Sequence, residues 1–380
     1  MPLPSSPNSI SANQISQEFG KNSPFKLGDY RNTTSIGGIN WPFDENIPTS
    51  GEIKFSDFHG KQLNIVALVD GVNGNRKKIT SVATFNIVGE LKTSTNSSVR
   101  SKSKNIVYII NSTIGSSKSN RNHVALKTGT ASDWYGGSPN GGKIIIRVGE
   151  EAFISGAGGN ASNGTRYEND ASNGGVGSSG LGLEVAVESI SVTEDGTIRA
   201  GGGGGAGGGG AREDSLTTRR AGGGGGGGGS GIPAGLGALG DKPEADEDES
   251  GGTGGASMGL PGGDGEATTG GDGGDGGNND SEARGGGGGG GGSPTNPGEK
   301  GGSRNDADGG GSDSGRNGED GETTRGGNGG NGEGDKNLEA DGGNGGANGY
   351  SIISNSGISI NIISGSSKVK GSTNPGGGVS

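Results

Sequence analysis

The sequence predicts a mainly β chain with added polyglycine-II: an N-terminal attachment segment, a β platform, then a packed bundle of glycine-rich polyproline-II helices closed by a C-terminal β hairpin. Long glycine runs recur at 201–210 (broken only by Ala206), 222–229 and 285–292. Between and after them the chain repeats every three residues, as in Gly273-Gly-Asp-Gly-Gly-Asn278, Gly326-Gly-Asn-Gly-Gly-Asn331 and Gly342-Gly-Asn-Gly-Gly346. Apolar residues concentrate before Arg199 and again over 350–369, so the glycine region is flanked by strand-forming sequence on both sides.

A period of three fits neither an α-helix nor a strand, but it matches a polyproline-II helix with about 3.1 Å of rise per residue. Each residue of a triplet lies along its own edge. A pure glycine run is bare on all three edges and suits the interior of a bundle, whereas Gly-Gly-Asn and Gly-Gly-Asp runs suit its skin. Such a helix has no internal hydrogen bonds, so neighbouring helices must satisfy its N–H and C=O groups. Collagen is a poor fit, because two of three positions are glycine and proline is scarce in the runs. A free Gly-rich linker is favoured by backbone entropy. It does not explain why full-length runs alternate with charged or polar inserts at 211–221, 241–250, 293–300 and 312–325.

Composition sets the outer limits. With 95 glycines in 380 residues and 24% hydrophobic residues, a conventional core can occupy only part of the chain. No apolar run is long enough to span a bilayer, and no secretory signal is readable at the N-terminus. The absence of cysteine removes disulfides and thiolate metal sites. A net charge of −11 argues against nucleic acid as a partner.

The first sixty residues contain a short duplication, in which 4–21 reads against 48–61: a proline with serine or threonine, an isoleucine, a polar turn, then an aromatic and Gly-Lys. Ser11 is placed to cap a helix over 12–19, and Ser56 a single turn ended by Gly60. Each unit is too small to bury a core alone, which suits a module that folds on a partner or packs on the rest of the chain. From Leu63 the pattern is β. Strands are expected over 63–69, within 79–91, at 106–110, 123–127, 143–148 and 181–187, and Trp134-Tyr135 falls in a loop. The predicted division is 1–62, 63–200, 201–349 and 350–380.

A second duplication joins the β region to the glycines. Ile146-Arg-Val-Gly-Glu-Glu-Ala-Phe-Ile-Ser-Gly-Ala-Gly-Gly159 aligns without a gap on Ile190-Ser-Val-Thr-Glu-Asp-Gly-Thr-Ile-Arg-Ala-Gly-Gly-Gly203. Each unit reads as a strand, an acidic turn, a second strand and glycine, that is, a strand pair launching a glycine rod. Residues 350–363 read as a hairpin-like return onto the same platform.

This unit, followed by glycine motifs alternating with variable inserts, resembles the distal adhesin that caps the long tail fibre of T-even-type bacteriophages. The opening segment and Ile53-Lys-Phe-Ser-Asp-Phe-His-Gly-Lys61 are similar to segments near the start of phage tail and fibre proteins. The resemblance implies a virion protein at the tail fibre or tail tip. It would be attached to a tail-fibre or baseplate protein of the same virion, with loops between glycine motifs touching a host outer-surface receptor and setting host range. Such loops are often aromatic; here no Phe, Trp or Tyr lies between Tyr167 and Tyr350, so a polar or sugar target is as suitable as a protein. A virion spacer with no receptor, or a disordered acidic tail on a small β domain, are the other readings.

The receptor-binding candidates are Arg212, Glu213, Asp214, Arg219 and Arg220 in the first insert, and Glu244, Asp246 and Asp248 in the second. Catalysis has little material, since His59 and His123 are the whole histidine complement. No enzyme activity, cofactor or metal is expected. The acidic run 246–249 reads as a solvated loop in preference to a Ca²⁺ site, and Gly-Gly-Asp-Gly-Gly-Asn lacks the ligand and apolar residue of a Ca²⁺ β-helix repeat.

Overall fold

The computed structural model describes residues 3–19, 26–30, 47–48, 50–61, 107–116, 120–131, 143–150, 152–165, 169–211, 221–240, 266, 268–276, 286–301, 317–323, 325–332 and 340–380. At 35–36, 39–40, 65–70, 85–86, 106, 212–213, 219–220, 278–279 and 283–284 it describes the backbone alone. The expected loop at Trp134-Tyr135 lies outside the described residues, as does all of the segment expected at 79–91 except 85–86.

Helix α1 (Ala12–Phe19) begins where Ser11 caps it. The Ser11 hydroxyl accepts the Gln14 amide at 3.2 Å and the Gln14 side-chain oxygen accepts the Ser11 amide at 2.8 Å, a reciprocal capping box. The second turn is a 3-10 helix at Phe55–Phe58, capped at Lys54, two residues earlier than the serine suggested. There Asp57 accepts the Lys54 amide at 2.7 Å, so a carboxylate and not the Ser56 hydroxyl holds its start. The two duplicated units meet: Phe19 and Phe58 stack edge to face at 5.9 Å, with Tyr30 5.7 Å from each, in a core completed by Leu3, Ile15 and Ile47.

Beyond a two-stranded pair, β1 (Ser35–Ile36) with β2 (Ile39–Asn40), the chain winds repeatedly past three parallel sheets. In chain order it lays down β3 (Ile65–Asp70), β4 (Phe85–Asn86), β5 (Ile106–Asn111), β6 (Thr113–Ile114), β7 (Val124–Lys127), β8 (Ile144–Val148), β9 (Phe153–Ser155), β10 (Ser179–Leu183), β11 (Ser189–Val192) and β12 (Thr197–Arg199). Two antiparallel pairs follow in the glycine region: β13 (Ala211–Glu213) with β14 (Arg219–Ala221), and β15 (Asn278–Asn279) with β16 (Ala283–Arg284). The winding then resumes with β17 (Ile352–Ser354), β18 (Ile362–Ser364), β19 (Val369–Lys370) and β20 (Thr373–Asn374).

The sheet orders β20-β17-β10-β7-β4, β18-β11-β8-β5-β3 and β19-β12-β9-β6 show that from β5 onward each circuit contributes one strand to each sheet. This is a three-faced parallel solenoid, in which every interior strand is paired on both sides by adjacent circuits. Equivalent side chains stack: Tyr108, Ile146, Ile190 and Ile362 form one column, Leu126, Leu181 and Ile352 another, and Ile114, Ile154, Ile198 and Val369 a third. Most of these are fully buried in one core.

The gap-free duplication is the register of this solenoid, with Ile146 opposite Ile190 and Ile154 opposite Ile198. It is not a strand pair: β8 and β9 belong to different sheets and each bonds to its counterpart in the next circuit. The C-terminal return corrects in the same way. β17 pairs with β10 and β18 with β11, so they are successive faces of one circuit and not a hairpin. The strand expected over 181–187 is Ser179–Leu183, with Val185 and Val187 buried at the corner beyond it.

The glycine segments leave the solenoid after β9 and β12 and run back and forth beside one another. Segment 201–210 donates on one edge to 222–230 (Gly202 to Ser230 2.6 Å, Gly205 to Gly227 2.7 Å, Gly208 to Gly224 2.8 Å). On the next it donates to 169–178 (Gly201 to Ser178 and Gly204 to Gly175, both 2.8 Å), and on the third to 325–332 (Ala206 to Gly327 3.1 Å, Gly209 to Gly330 3.0 Å). Its carbonyls accept, again at every third residue, from 286–292, 156–165 and 340–349. The segment is thus hydrogen-bonded to six neighbours, and all its residues are buried.

Close approach is what excludes side chains there. A Cβ on Gly205 would fall on the Gly289 carbonyl, and one on Gly208 on the Gly286 carbonyl. Outer segments lack a backbone neighbour on one edge, and asparagine or aspartate supplies the partner. Asn160 accepts the Leu236 amide and Asn163 the Leu239 amide at 3.0 Å, Asn173 accepts Asn344 at 2.8 Å, Asn331 accepts Gly342 and Asn328 accepts Gly345 at 3.0 Å. In the interior, Asn348 accepts the Gly203 amide at 2.6 Å.

At the root of the bundle Arg199, 2% exposed, donates to the Thr268 carbonyl, the Ser293 hydroxyl and the Thr295 hydroxyl at 3.1–3.2 Å. Burial pulls its guanidinium down to about 10.

Gly205→Ala is expected to destabilise the protein by about 1–3 kcal/mol through overpacking. Asn344→Ala, at an exposed outer position, is expected to stay within about 0.5 kcal/mol of wild type; thermal melts of the two variants check the contrast. Asn348→Ala strands the buried Gly203 amide and is expected to cost about 1–3 kcal/mol in a denaturant titration.

Candidate functional site

Apart from 241–265, which leads from the far end to the solenoid end, the alternation of direction sorts the connections between described segments to one of two ends. Segments 156–165, 201–210, 233–240, 268–276, 298–301 and 325–332 run away from the solenoid, while 169–178, 222–230, 286–293, 317–322 and 340–349 run back. A connection at the outer ends is separated from the β core by the length of a glycine segment.

The first insert lies at the far end. Its flanks are the antiparallel pair β13–β14, with Ala211 opposite Ala221, Arg212 opposite Arg220 and Glu213 opposite Arg219. Ala211 and Ala221 are buried and fix the hairpin to the ends of 201–210 and 222–230. Asp214 lies outside the described residues. In the second insert, Glu244, Asp246 and Asp248 also lie outside the described residues, as does the acidic run 246–249. The chain reaches that insert at the far end, where the Leu239 carbonyl accepts the Gly164 amide, and is next described at Glu266, whose carbonyl accepts the Gly231 amide at the solenoid end.

The other two inserts do not behave alike. The stretch 293–300 turns at the solenoid end, not the far one. Ser293 is fully buried, accepts the Thr295 and Asn296 amides and the Arg199 guanidinium, and donates to the Thr268 carbonyl at 2.8 Å. Serine and threonine side chains there satisfy a tight turn against the β core. The stretch 312–325 is split: 317–322 is itself a glycine-bundle segment, with Gly318 donating to Gly301 and Gly321 to Gly298, and the turn to Arg325 lies at the solenoid end.

A far-end element that sequence reasoning misses is β15–β16, where Asn278 stands opposite Arg284 and Asn279 opposite Ala283. Strand β16 lies against both β13 and β14, which brings Arg284 into the same loop cluster as Arg212, Arg219 and Arg220. Its signal is the break in the triplet period at Asn278-Asn279, between Gly277 and Gly285. Among the described residues no group of three or more His, Cys, Asp or Glu converges as a metal site.

A family model described as phage tail fibre adhesin Gp38 matches residues 75–285. The chain is also similar, at 17% identity, to a chain in the crystal structure of the gp37-gp38 adhesin tip complex of the bacteriophage S16 long tail fiber; the match covers 88% of this chain and 90% of that one, with a TM-score of 0.30. No curated protein matches it. The family match takes in most of the solenoid, the central glycine segments and both far-end hairpins, which is more than half of the 380 residues. The chain therefore belongs to the phage tail fibre adhesin Gp38 family, a protein of the virion whose place is the tail fibre.

Proposed function

We propose that the far end of the glycine segments is the recognition surface of this adhesin, and that the segments are a polyglycine-II bundle serving as its rigid mount. The observation that carries the first part is the gathering of β13–β14 and β15–β16 at the end remote from the solenoid. Supporting the second are hydrogen bonds at every third residue, directed along separate edges to separate neighbours. In this reading Arg212, Glu213, Asp214, Arg219 and Arg220 contact a host outer-surface receptor. Glu244, Asp246 and Asp248 contribute from the second insert. Residues 1–62, with their own aromatic core, attach the protein to a tail-fibre or baseplate partner, 63–200 and 350–380 form the platform, and 201–349 is the receptor-binding region. Rigid mounts beneath variable loops allow binding specificity to change without refolding.

Replacing 212–220 by a short Gly-Asn turn is expected to abolish or strongly reduce adsorption of the purified protein to host cells while leaving its melting temperature unchanged. Undiminished adsorption would make the glycine region a spacer. Amide exchange offers an independent check on the mount: the Gly205, Gly226 and Gly289 amides are expected to exchange orders of magnitude more slowly than unstructured glycine. Exchange at the unprotected rate would remove the packed bundle.

A further inference from the structure

The protein carries a net charge of −11, yet its outermost described hairpins bring arginines at 212, 219, 220 and 284 into one cluster. The register makes their arrangement specific. Residues directly opposite in an antiparallel pair share a face, with Cβ atoms about 4.5–5.5 Å apart, and like charges placed so destabilise the pair. Arg212 is directly opposite Arg220. One step along, Glu213 is opposite Arg219, so the same hairpin matches its charges on one face and not on the other. The matched face is shared with the buried alanines, Ala211 and Ala221. The two-arginine face is the alternate one, and the neighbouring strand β16, which lies against both strands of this hairpin, ends in Arg284.

We propose that this arginine face binds an anionic group, a phosphate or a carboxylate, carried on a host-surface glycan. The proposal rests on the reading of the far end as the recognition surface. A guanidinium presents a rigid fork of donors that matches either anion in two parallel hydrogen bonds, and it is weakly hydrated, so desolvating it costs less than desolvating an ammonium. An anion between Arg212 and Arg220 converts their mutual repulsion into a shared attraction. The rest of the tip favours a glycan over an apolar protein patch. Protein hot spots are enriched in Trp and Tyr as well as Arg, and no aromatic residue lies between Tyr167 and Tyr350. The acidic residues of the hairpin ends, Asp214, Asp280 and Glu282, lie outside the described residues; the proposal places the bound anion on the face that Glu213 does not share.

The test uses the full chain bound to host cells at fixed ionic strength. R212Q/R220Q is expected to lose affinity about tenfold or more, the equivalent of one charge-assisted hydrogen bond, with no fall in melting temperature. R212K/R220K, which keeps the charge and loses the fork, is expected to fall between that variant and wild type. K368Q/K370Q removes the same charge on the last solenoid circuit and is expected to bind like wild type. Glucose 6-phosphate or glucuronate is expected to compete where glucose does not, and the better competitor identifies the anion. Wild-type affinity in R212Q/R220Q, or equal competition by all three sugars, overturns the proposal. Loss of binding after protease treatment of the cells, with no competition by either anionic sugar, also overturns it in favour of a protein receptor. If the 212–220 replacement abolishes adsorption while R212Q/R220Q does not, the recognition surface stands and the anionic ligand falls; if the 212–220 replacement adsorbs fully, the recognition reading itself falls.

Discussion

A backbone without side chains has to hydrogen-bond to something, and in the glycine segments that something is another chain segment. This one requirement organises the glycine half of the molecule. Segment 201–210 meets it entirely with neighbours, donating along three edges and accepting from three further segments. Contact this close excludes a Cβ at residues 201–205 and 207–209, where it would occupy the space of a facing backbone group, and Ala206 is the one residue of the segment that carries a side chain. The entropy lost in ordering glycine is offset by a dense, repeating set of backbone hydrogen bonds, each worth about 0.5–1.5 kcal/mol net.

The requirement also explains the periphery. A segment at the edge of the bundle has one row of amides with no backbone partner, and water or a side chain must serve. Asparagine and aspartate are the shortest side chains with an acceptor oxygen at the right reach, and they take this place repeatedly, at Asn160, Asn163, Asp170, Asn173, Asn328 and Asn331. The polar third residue of the Gly-Gly-X motif is thus a structural partner for the adjacent segment as well as a solvated surface.

Much of this is legible in the order of the amino acids. The triplet period and the duplication of 146–159 in 190–203 are both visible there, and the duplication is the strand register itself. What periodicity cannot convey is which strands pair. A strand–turn–strand unit reads the same whether its halves bond to each other or to the next circuit, and only the stacking of Ile146 on Ile190 decides. The same ambiguity makes 350–363 look like a hairpin. At the tip, the four described arginine and glutamate candidates stand out by their place between glycine runs, while Arg284 does not, because its hairpin interrupts the triplet pattern for only a few residues. The turn at 293–296, in which Ser293 alone is buried, is unmarked for a different reason. Its Ser and Thr composition looks like a surface loop, and its role is to receive Arg199.

The excursion from 200 to 351 departs from β12 and returns to β17, and the circuits on either side of it are hydrogen-bonded directly: Ile198 to Val369, Leu181 to Ile352. Its two ends are therefore successive faces of one circuit, each already paired to the circuits above and below. Genetically, that makes the whole block a cassette. Two related phages recombining within the flanking strands would exchange the 201–349 block, hairpins included, and each product would seat the new piece on its own solenoid and on segments 156–165 and 169–178.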